Sequence, residues 1–152
     1  MGLIRSFLAS LGLANDMPSM TFDRDDPDMR EAARLARESF PSFAERVANP
    51  RPGDENFLVK MALPLPGDSV ETVWAGDPRQ DGSGRWTAEI ANIPAARGFR
   101  EGSRVDFDPS EIADWAYFSR DGLEGGFSQR VMIERLPASQ RAQMRAQLRI
   151  RD

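Results

Sequence analysis

Lys60 is the first residue whose type and position could support chemistry, because it is the only lysine in the chain. It lies in the apolar stretch 57–63, which is typical of a β-strand, and alternation places it on the same face as Leu58 and Ala62. A lysine that is partly removed from water has a lowered pKa and can also contact an anion. The interpretation that we favour is a lysine on the sheet surface, whose stem covers apolar neighbours.

Asp114 and Trp115 lie in the most aromatic run of the chain, residues 112–118. An acidic and an aromatic side chain next to each other could form the wall of a ligand pocket. The structural alternative, which the burial habits of tryptophan favour, is an indole in the core and a carboxylate that accepts hydrogen bonds from backbone N–H groups.

The segment Gly125-Gly126-Phe127-Ser128 precedes a helical pattern and is followed by Arg130. Glycines allow the backbone to approach a ligand, and the N–H groups of a helix start can bind an anion. The segment lacks the complete phosphate-loop or dinucleotide pattern, so we favour a glycine turn with Ser128 as the helix cap. The ligand-binding candidates taken together are Lys60, Asn92, Asp114, Trp115 and Arg130.

Two residue types are absent from the 152-residue chain, since it contains no cysteine and no histidine. Their absence excludes disulfide bonds, thiol nucleophiles, Ser-His-Asp catalysis and zinc sites built on cysteine or histidine. The acidic run at 23–28 lacks the central glycine and closing glutamate of a calcium loop, so it is predicted to be a solvated loop. We predict no catalytic residue, no metal and no cofactor from the sequence.

The charge distribution is uneven, with a net charge of −4 overall and six arginines against two carboxylates from residue 127 onward. Arg141, Arg145 and Arg149 recur at the spacing of one helix face. They form either a solvated face, which we favour, or a docking surface for an acidic protein partner. A nucleic-acid partner is disfavoured because the net charge is negative and no aromatic residues alternate with these arginines.

Residues 1–14 carry an apolar stripe that predicts a short amphipathic helix, formed by Leu3, Ile4, Phe7, Leu8 and Leu11. We expect this helix to dock on the domain or to pair with a partner. The alternatives are a membrane-surface helix and a signal peptide. No apolar run approaches the roughly 18 residues that a transmembrane helix needs. The predicted location is the cytoplasm, or outside it if residues 1–14 act as a signal peptide.

The remaining pattern predicts an α+β fold in one domain, residues 27–152, after an N-terminal helix and polar linker at 1–26. Asp26-Pro27 is typical of a helix start, and Pro41 predicts a kink or break near Ser39-Phe40 in the long helix Asp28–Val47. The sheet is expected to be curved and antiparallel, or a small partly open barrel, of four to five strands. The strands are expected at 57–63, 70–75, 86–90, 104–107 and 116–118, with a turn from Asp77-Pro78 to Gly84 and C-terminal helices near 131–136 and 140–149.

Five short strings occur in an order that resembles the bacterial YegJ-like family, catalogued as domain of unknown function 2314. They are Phe57-Leu58-Val59-Lys60, Val70-Glu71-Thr72-Val73-Trp74, Ala91-Asn92-Ile93-Pro94, Asp114-Trp115-Ala116-Tyr117 and Gly125-Gly126-Phe127-Ser128-Gln129-Arg130. The resemblance covers about residues 28–136 and leaves the first and last helices outside. The family usually has a histidine before the tryptophan of the second strand, where this chain has Thr72-Val73-Trp74. The resemblance implies a shared fold and carries no catalytic residues to this chain.

Two classes of function are compatible with these observations. The first is a non-enzymatic protein-interaction module, such as an accessory, regulatory or immunity-type protein, which the absent histidine and cysteine and the arginine row favour. The alternative is a small-molecule or anion-binding domain, or a hydrolase with carboxylate chemistry. The alternative requires Lys60, Asp114 and Arg130 to point into one concave site, so their placement separates the two hypotheses.

Overall fold

The computed structural model describes residues 26–64, 67, 70–91 and 100–151, so the predicted N-terminal helix and the segment around Asn92 lie outside the described residues. The described helices are α1 (Pro27–Ala48), α2 (Phe127–Glu134) and α3 (Ala138–Gln147). The described strands are β1 (Glu55–Pro64), β2 (Val70–Gln80), β3 (Trp86–Ile90), β4 (Arg104–Phe107), β5 (Asp114–Ser119) and β6 (Gly122–Gly125).

The strands form one open antiparallel sheet in the order β4-β3-β2-β1-β5-β6. The predicted α+β fold is therefore confirmed, but the sheet has six strands rather than four or five. The additional strand is β6, which forms a hairpin with β5 and pairs Ser119 with Gly122. Its glycines are typical of turns, so the strand depends on hydrogen bonding to β5 rather than on its own apolar pattern.

Strand β2 is longer than predicted, and the prediction that a turn begins at Asp77-Pro78 is wrong. A bulge between Gly76 and Arg79 shifts the register with β3 and contains Pro78, and Asp77 has a φ of 48°. The hairpin turn instead follows Gln80, where the carboxylate of Asp81 accepts hydrogen bonds from the N–H groups of Ser83 (2.9 Å) and Arg85 (3.0 Å). Strands β3 and β4 have the predicted bounds.

Helix α1 begins as the sequence predicts, with Asp26 as the N-cap and proline at the first helical position. The Asp26 carboxylate accepts hydrogen bonds from the backbone N–H groups of Asp28 (3.0 Å) and Met29 (3.4 Å). The helix continues through Pro41 to Ala48, so the alternative of a break is wrong. Pro41 is exposed, while Phe40 and Phe43 on either side are buried and hold both halves of the helix against the sheet.

The sheet separates two apolar clusters, because β1 and β5 bury side chains on both faces. On the α1 face, Phe43 packs at 5.1 Å from Trp115, measured between ring centroids. On the opposite face, Leu58 and Phe118 pack with Ile133 of α2 and with Leu148, the C-cap of α3. Each such side chain contributes about 1.5–3 kcal/mol to the free energy of unfolding when it is fully buried. The prediction that Met144 and Leu148 face inward is confirmed.

Candidate functional site

Lys60, Asp114 and Ser128 meet in the interior of the domain, where they form what we call the buried polar cluster. Antiparallel pairing of β1 with β5 places Lys60 directly opposite Asp114. The Lys60 Nζ atom lies 3.4 Å from Ser128 Oγ, which donates to Asp114 Oδ2 at 2.5 Å. All three residues are buried, with Lys60 only 6% exposed. The favoured interpretation of Lys60 as a lysine on the sheet surface is therefore wrong, because the C-terminal helices cover this face.

The Asp114 carboxylate caps α2, although it belongs to a strand that precedes the helix in the chain. It accepts hydrogen bonds from the backbone N–H groups of Phe127 (3.0 Å), Ser128 (2.8 Å) and its neighbour Trp115 (2.8 Å). A negative charge at this position is stabilised by the free N–H groups and the dipole of the helix start. The structural interpretation of Asp114 is thus confirmed.

The glycines before α2 permit this arrangement, because Gly125 and Gly126 have φ angles of 70° and 65°. A Cβ atom at Gly125 would clash with the carbonyl oxygen and the indole of Trp115. Gly126 is the N-cap and has no side-chain hydrogen bond of its own. The prediction of Ser128 as the helix cap is wrong, since Ser128 lies within the helix and the capping carboxylate comes from Asp114.

Desolvation shifts the pKa values of both charged members of the buried polar cluster. Burial lowers the pKa of the Lys60 ammonium group, and the charge of Asp114 opposes this shift. Burial raises the pKa of Asp114, and the hydrogen bonds from Ser128 and the charge of Lys60 oppose that rise. The charge of each group therefore favours the charged form of the other in the interior.

The side chain of Trp115 lies on the α1 face of the sheet, so only its backbone N–H contacts this cluster. Its indole Nε1 donates to the carbonyl oxygen of Ala36 at 3.1 Å and to Ser39 Oγ at 3.0 Å, and the residue is 6% exposed. The indole thus joins β5 to α1 as part of the core.

Arg130 binds backbone carbonyl groups rather than a cavity. Its guanidinium donates to the carbonyl oxygens of Gly125 at 2.8 Å and Leu123 at 2.9 Å. Partial burial lowers the pKa of Arg130. The structure thus brings Lys60 and Asp114 together but directs Trp115 and Arg130 elsewhere, and Asn92 lies outside the described residues.

The predicted arginine row is divided in the structure. Arg141 and Arg145 both face Glu134, with nitrogen–oxygen distances of 3.7 and 2.6 Å. Arg149 lies beyond the end of α3 in a left-handed conformation with a φ of 53°. Its guanidinium carbon lies 5.5 Å from the ring centroid of Phe118, and Nη1 donates to the backbone oxygen of Arg120 at 3.4 Å.

Arg149 therefore joins two arginines that the sequence analysis did not single out, and we call Arg51, Arg120 and Arg149 the arginine surface. All three side chains are exposed. Within the part of the chain that the structure describes, no ion pair involves any of them. Gly53 brings the loop after α1 against Arg120, because a Cβ atom there would lie 3.2 Å from the Arg120 Cβ. The sequence signal for Arg51 and Arg120 is that both lie beside glycine, proline or aspartate, which are typical of exposed turns.

A cleft of about 460 Å³ borders the arginine surface, and it contains both acidic and basic groups. Arg46 holds Asp54 by two hydrogen bonds of 2.8 Å, which lower the pKa of the buried Asp54. Arg151 lies 3.9 Å from both Asp121 and Glu124. The cleft is lined by Arg46, Arg51, Pro52, Asp54, Ser119, Arg120, Asp121 and Glu124.

Two further clefts occur among the described residues, with volumes of about 740 and 430 Å³. The larger cleft lies between the last turns of α1 and the bulged ends of β1 and β2. The smaller one lies beside β4 and the loop that follows it. Lys60, Asp114, Trp115 and Arg130 line none of these three clefts.

Comparison with protein families identifies the wider group of this chain. A family model described as an uncharacterized protein conserved in bacteria (DUF2314) matches residues 26–150. The chain belongs to this family. The DUF2314 match confirms the family expected from the sequence and extends it, because α3 lies inside the match rather than outside it. No curated protein and no solved structure matches the chain significantly.

The DUF2314 match begins at Asp26, the N-cap of α1, and includes both the buried polar cluster and the arginine surface. Within the described ranges, no group of three or more carboxylates is placed to hold a metal ion. None of the described helices is both long and apolar enough to cross a membrane.

Proposed function

We propose that this domain is a non-enzymatic protein-interaction module that binds an acidic segment of a protein partner through the arginine surface. The observation that carries the proposal is that the exposed residues Arg51 and Arg120 line one cleft and that the exposed Arg149 donates to the backbone oxygen of Arg120. Exposed guanidinium groups bind carboxylates in a two-pronged geometry, and clusters of them are a recurring means of recognising acidic motifs.

The interior supports a module of this kind rather than a reaction centre. Lys60 and Asp114 are engaged with Ser128 and with the start of α2, and Arg130 binds backbone oxygens. These contacts join the sheet to the C-terminal helices. The alternative hypothesis requires the side chains of Lys60, Asp114 and Arg130 to point into one concave site. This geometry does not support that requirement.

The local charge supports an acidic partner. The cleft of about 460 Å³ is lined by three arginines and three carboxylates, and two further arginines, Arg149 and Arg151, contact its lining residues Arg120 and Asp121, whereas the whole chain has a net charge of −4. Asp54 is already bound by Arg46, so the exposed end presents mainly cationic groups. Arg141 and Arg145 contribute less to this surface, because both face Glu134.

Charge reversal tests the proposal in the full-length protein with a fluorescent oligo-glutamate peptide as the probe. The variant Arg51→Glu/Arg120→Glu should bind the peptide about tenfold or more weakly, since about 1.4 kcal/mol of lost contact energy corresponds to tenfold in affinity. The matched control is Arg30→Glu/Arg100→Glu, which changes the net charge equally at two other exposed arginines. It should bind like the wild type.

The same variants identify the native partner by affinity capture from the organism's own cells, followed by mass spectrometry. A partner held by the wild type and the control, but released by Arg51→Glu/Arg120→Glu, would support the proposal. Equal capture by all three proteins would overturn it. If citrate instead raised the melting temperature only while Arg51 and Arg120 were intact, the surface would belong to a small-anion-binding domain.

A further inference from the structure

The cleft of about 740 Å³, which we call the apolar cleft, is lined mainly by apolar residues. Its walls come from the last turns of α1, from the first residues of β1 and β3, and from the end of β2. Its volume is within the range of about 300–1,000 Å³ that is usual for sites that take up apolar groups. The apolar lining includes Ala44, Val47, Ala48, Phe57, Pro78 and Trp86.

Two irregularities of the sheet shape the apolar cleft. The register of β1 against β5 shifts at Asn56, and that of β2 against β3 shifts at Asp77. Both residues line the cleft and have positive φ angles, of 57° and 48°. Bulges bend strands and redirect side chains, so both strand ends turn where they form the walls.

The apolar cleft adjoins the arginine surface, because the same two segments line both clefts. In the loop after α1, Pro50 lines the apolar cleft and Arg51 lines the cleft of about 460 Å³. In the last turns of α1, Val47 lines the first and Arg46 lines the second. The Cα atoms of consecutive residues lie about 3.8 Å apart, so one short ligand segment can contact both sites.

The polar part of the apolar cleft also suits a ligand with negative charge. Asp77 is the carboxylate among its lining residues, and it is shared by two arginines. Arg79 and Arg104 lie 2.8 and 2.7 Å from it, measured from guanidinium nitrogen to carboxylate oxygen. One carboxylate between two guanidinium groups leaves a local excess of positive charge beside the apolar walls.

We infer that the acidic partner segment also carries a large apolar side chain, which enters the apolar cleft while neighbouring carboxylates bind Arg51 and Arg120. This inference rests on the proposed function, because it describes the same ligand. Exposed ion pairs contribute little affinity by themselves, whereas an apolar side chain that fills a pocket is a common main contributor to binding. The ligand is therefore recognised by two features together, an apolar anchor and the acidic residues around it.

Two fluorescent peptides of equal charge test this inference on the full-length protein. The anchored peptide has one tryptophan between two runs of three glutamates, with a glycine on each side of the tryptophan, and the comparison peptide has serine in its place. The anchored peptide should bind the wild type about tenfold or more tightly than the comparison peptide, because burial of the indole is added to the charge contacts.

A substitution at the cleft locates the source of this gain. Ala48→Gln places a polar side chain at an exposed lining residue without changing the net charge, and it should remove most of the gain. The matched control is Ala142→Gln, at an exposed alanine of α3, which should keep the gain. Circular dichroism would verify that both variants keep the fold.

Photo-crosslinking gives a second readout. A benzophenone side chain in place of the tryptophan should crosslink to residues 77–80, which line the apolar cleft and not the cleft of about 460 Å³. Crosslinks confined to other segments would overturn the inference.

The outcomes separate this inference from the proposed function. Equal affinity of the two peptides, with both weakened by Arg51→Glu/Arg120→Glu, would overturn the inference and leave the proposed function standing. Peptide affinities that Arg51→Glu/Arg120→Glu leaves unchanged would overturn the proposed function and this inference with it. Equally tight binding of the tryptophan peptide after serines replace all its glutamates would overturn joint recognition and assign the cleft to apolar ligands in general.

Discussion

At the scale of single residues, Asp114 of β5 connects the start of α2 to Lys60 of β1. Its carboxylate receives N–H groups from the start of α2 and the hydroxyl of Ser128, and it lies opposite Lys60 in the sheet. The N–H groups at the helix start and the nearby ammonium group both stabilise the charged carboxylate against its desolvation cost. We therefore expect the structural role of Asp114 to depend on its charge.

Asp114→Asn keeps the shape of the side chain and removes its charge, so the negative charge opposite the buried Lys60 ammonium group is lost. Loss of one member of a buried charge pair typically costs about 3–5 kcal/mol in the free energy of unfolding. Urea denaturation monitored by tryptophan fluorescence would measure this cost.

The control for this substitution is Asp108→Asn, an exposed turn carboxylate, which should change stability far less. The double variant Lys60→Met/Asp114→Asn should lose less than the sum of the two single variants, because they remove the same interaction. Additive losses would show that Lys60 and Asp114 are not coupled.

At the scale of elements, the start of α1 is tied to the end of α2. Arg135, the C-cap residue of α2, donates to the carboxylates of Asp26 at 2.7 Å and Asp28 at 3.1 Å. Asp26 is the N-cap of α1, so one carboxylate both begins that helix and anchors it to α2. The hydrogen bond from Arg135 lowers the pKa of Asp26 to about 2.

A lowered carboxylate pKa makes the stability of the protein depend on pH. The folded pKa of about 2 lies below the ordinary value of 3.8, so the folded state binds protons less readily than the unfolded chain. The stabilisation from Asp26 is therefore present above about pH 4 and is lost as the pH falls through about 2.

Melting temperatures of the wild type and Asp26→Asn from about pH 6 to about pH 2 would test this dependence. Asparagine caps a helix as well as aspartate does, so the variant removes mainly the ion pair with Arg135. The wild type should melt higher at about pH 6, and the difference should close toward about pH 2. Arg30→Gln, an exposed change on the same helix, should show no such pH dependence, and a constant difference for Asp26→Asn would contradict the assignment.

At the scale of the whole molecule, the polar groups fall into an interior set and an exposed set. Those of the interior join the sheet to its helices, while the residues of the arginine surface are exposed. Arg51 and Arg120 come from two loops that line one cleft, and Arg149 reaches the backbone of Arg120 from beyond the end of α3. Binding there should be governed by charge, since the participating side chains are exposed.

Affinity for the acidic probe should therefore fall with ionic strength. Raising the salt concentration from about 0.1 M to about 1 M shortens the Debye length from about 10 Å to about 3 Å. The dissociation constant of the wild type and of Arg30→Glu/Arg100→Glu should rise severalfold over this range. It should change little for Arg51→Glu/Arg120→Glu, and a salt-independent affinity of the wild type would show that the contact is not electrostatic.

The sequence by itself determined the features that depend on neighbouring residues. The cap Asp26 with Pro27 and the bounds of β3 and β4 follow from local spacing. Local rules succeeded here because a cap needs only the next few N–H groups, and a strand of β-favouring residues ends at the turn residues beside it.

Only the tertiary structure decided the burial of Lys60, the capping of α2 by Asp114 and the position of Arg51 and Arg120 along one cleft. These features depend on which strands become neighbours, on their register, and on which face the C-terminal helices cover. The alternation along β1 places Lys60 on the other face of the strand from Phe57 and Val59. This pattern fits either an exposed face or a face that other elements cover. The packing of distant elements removed Lys60 from water, and no pattern within residues 57–63 contains that information.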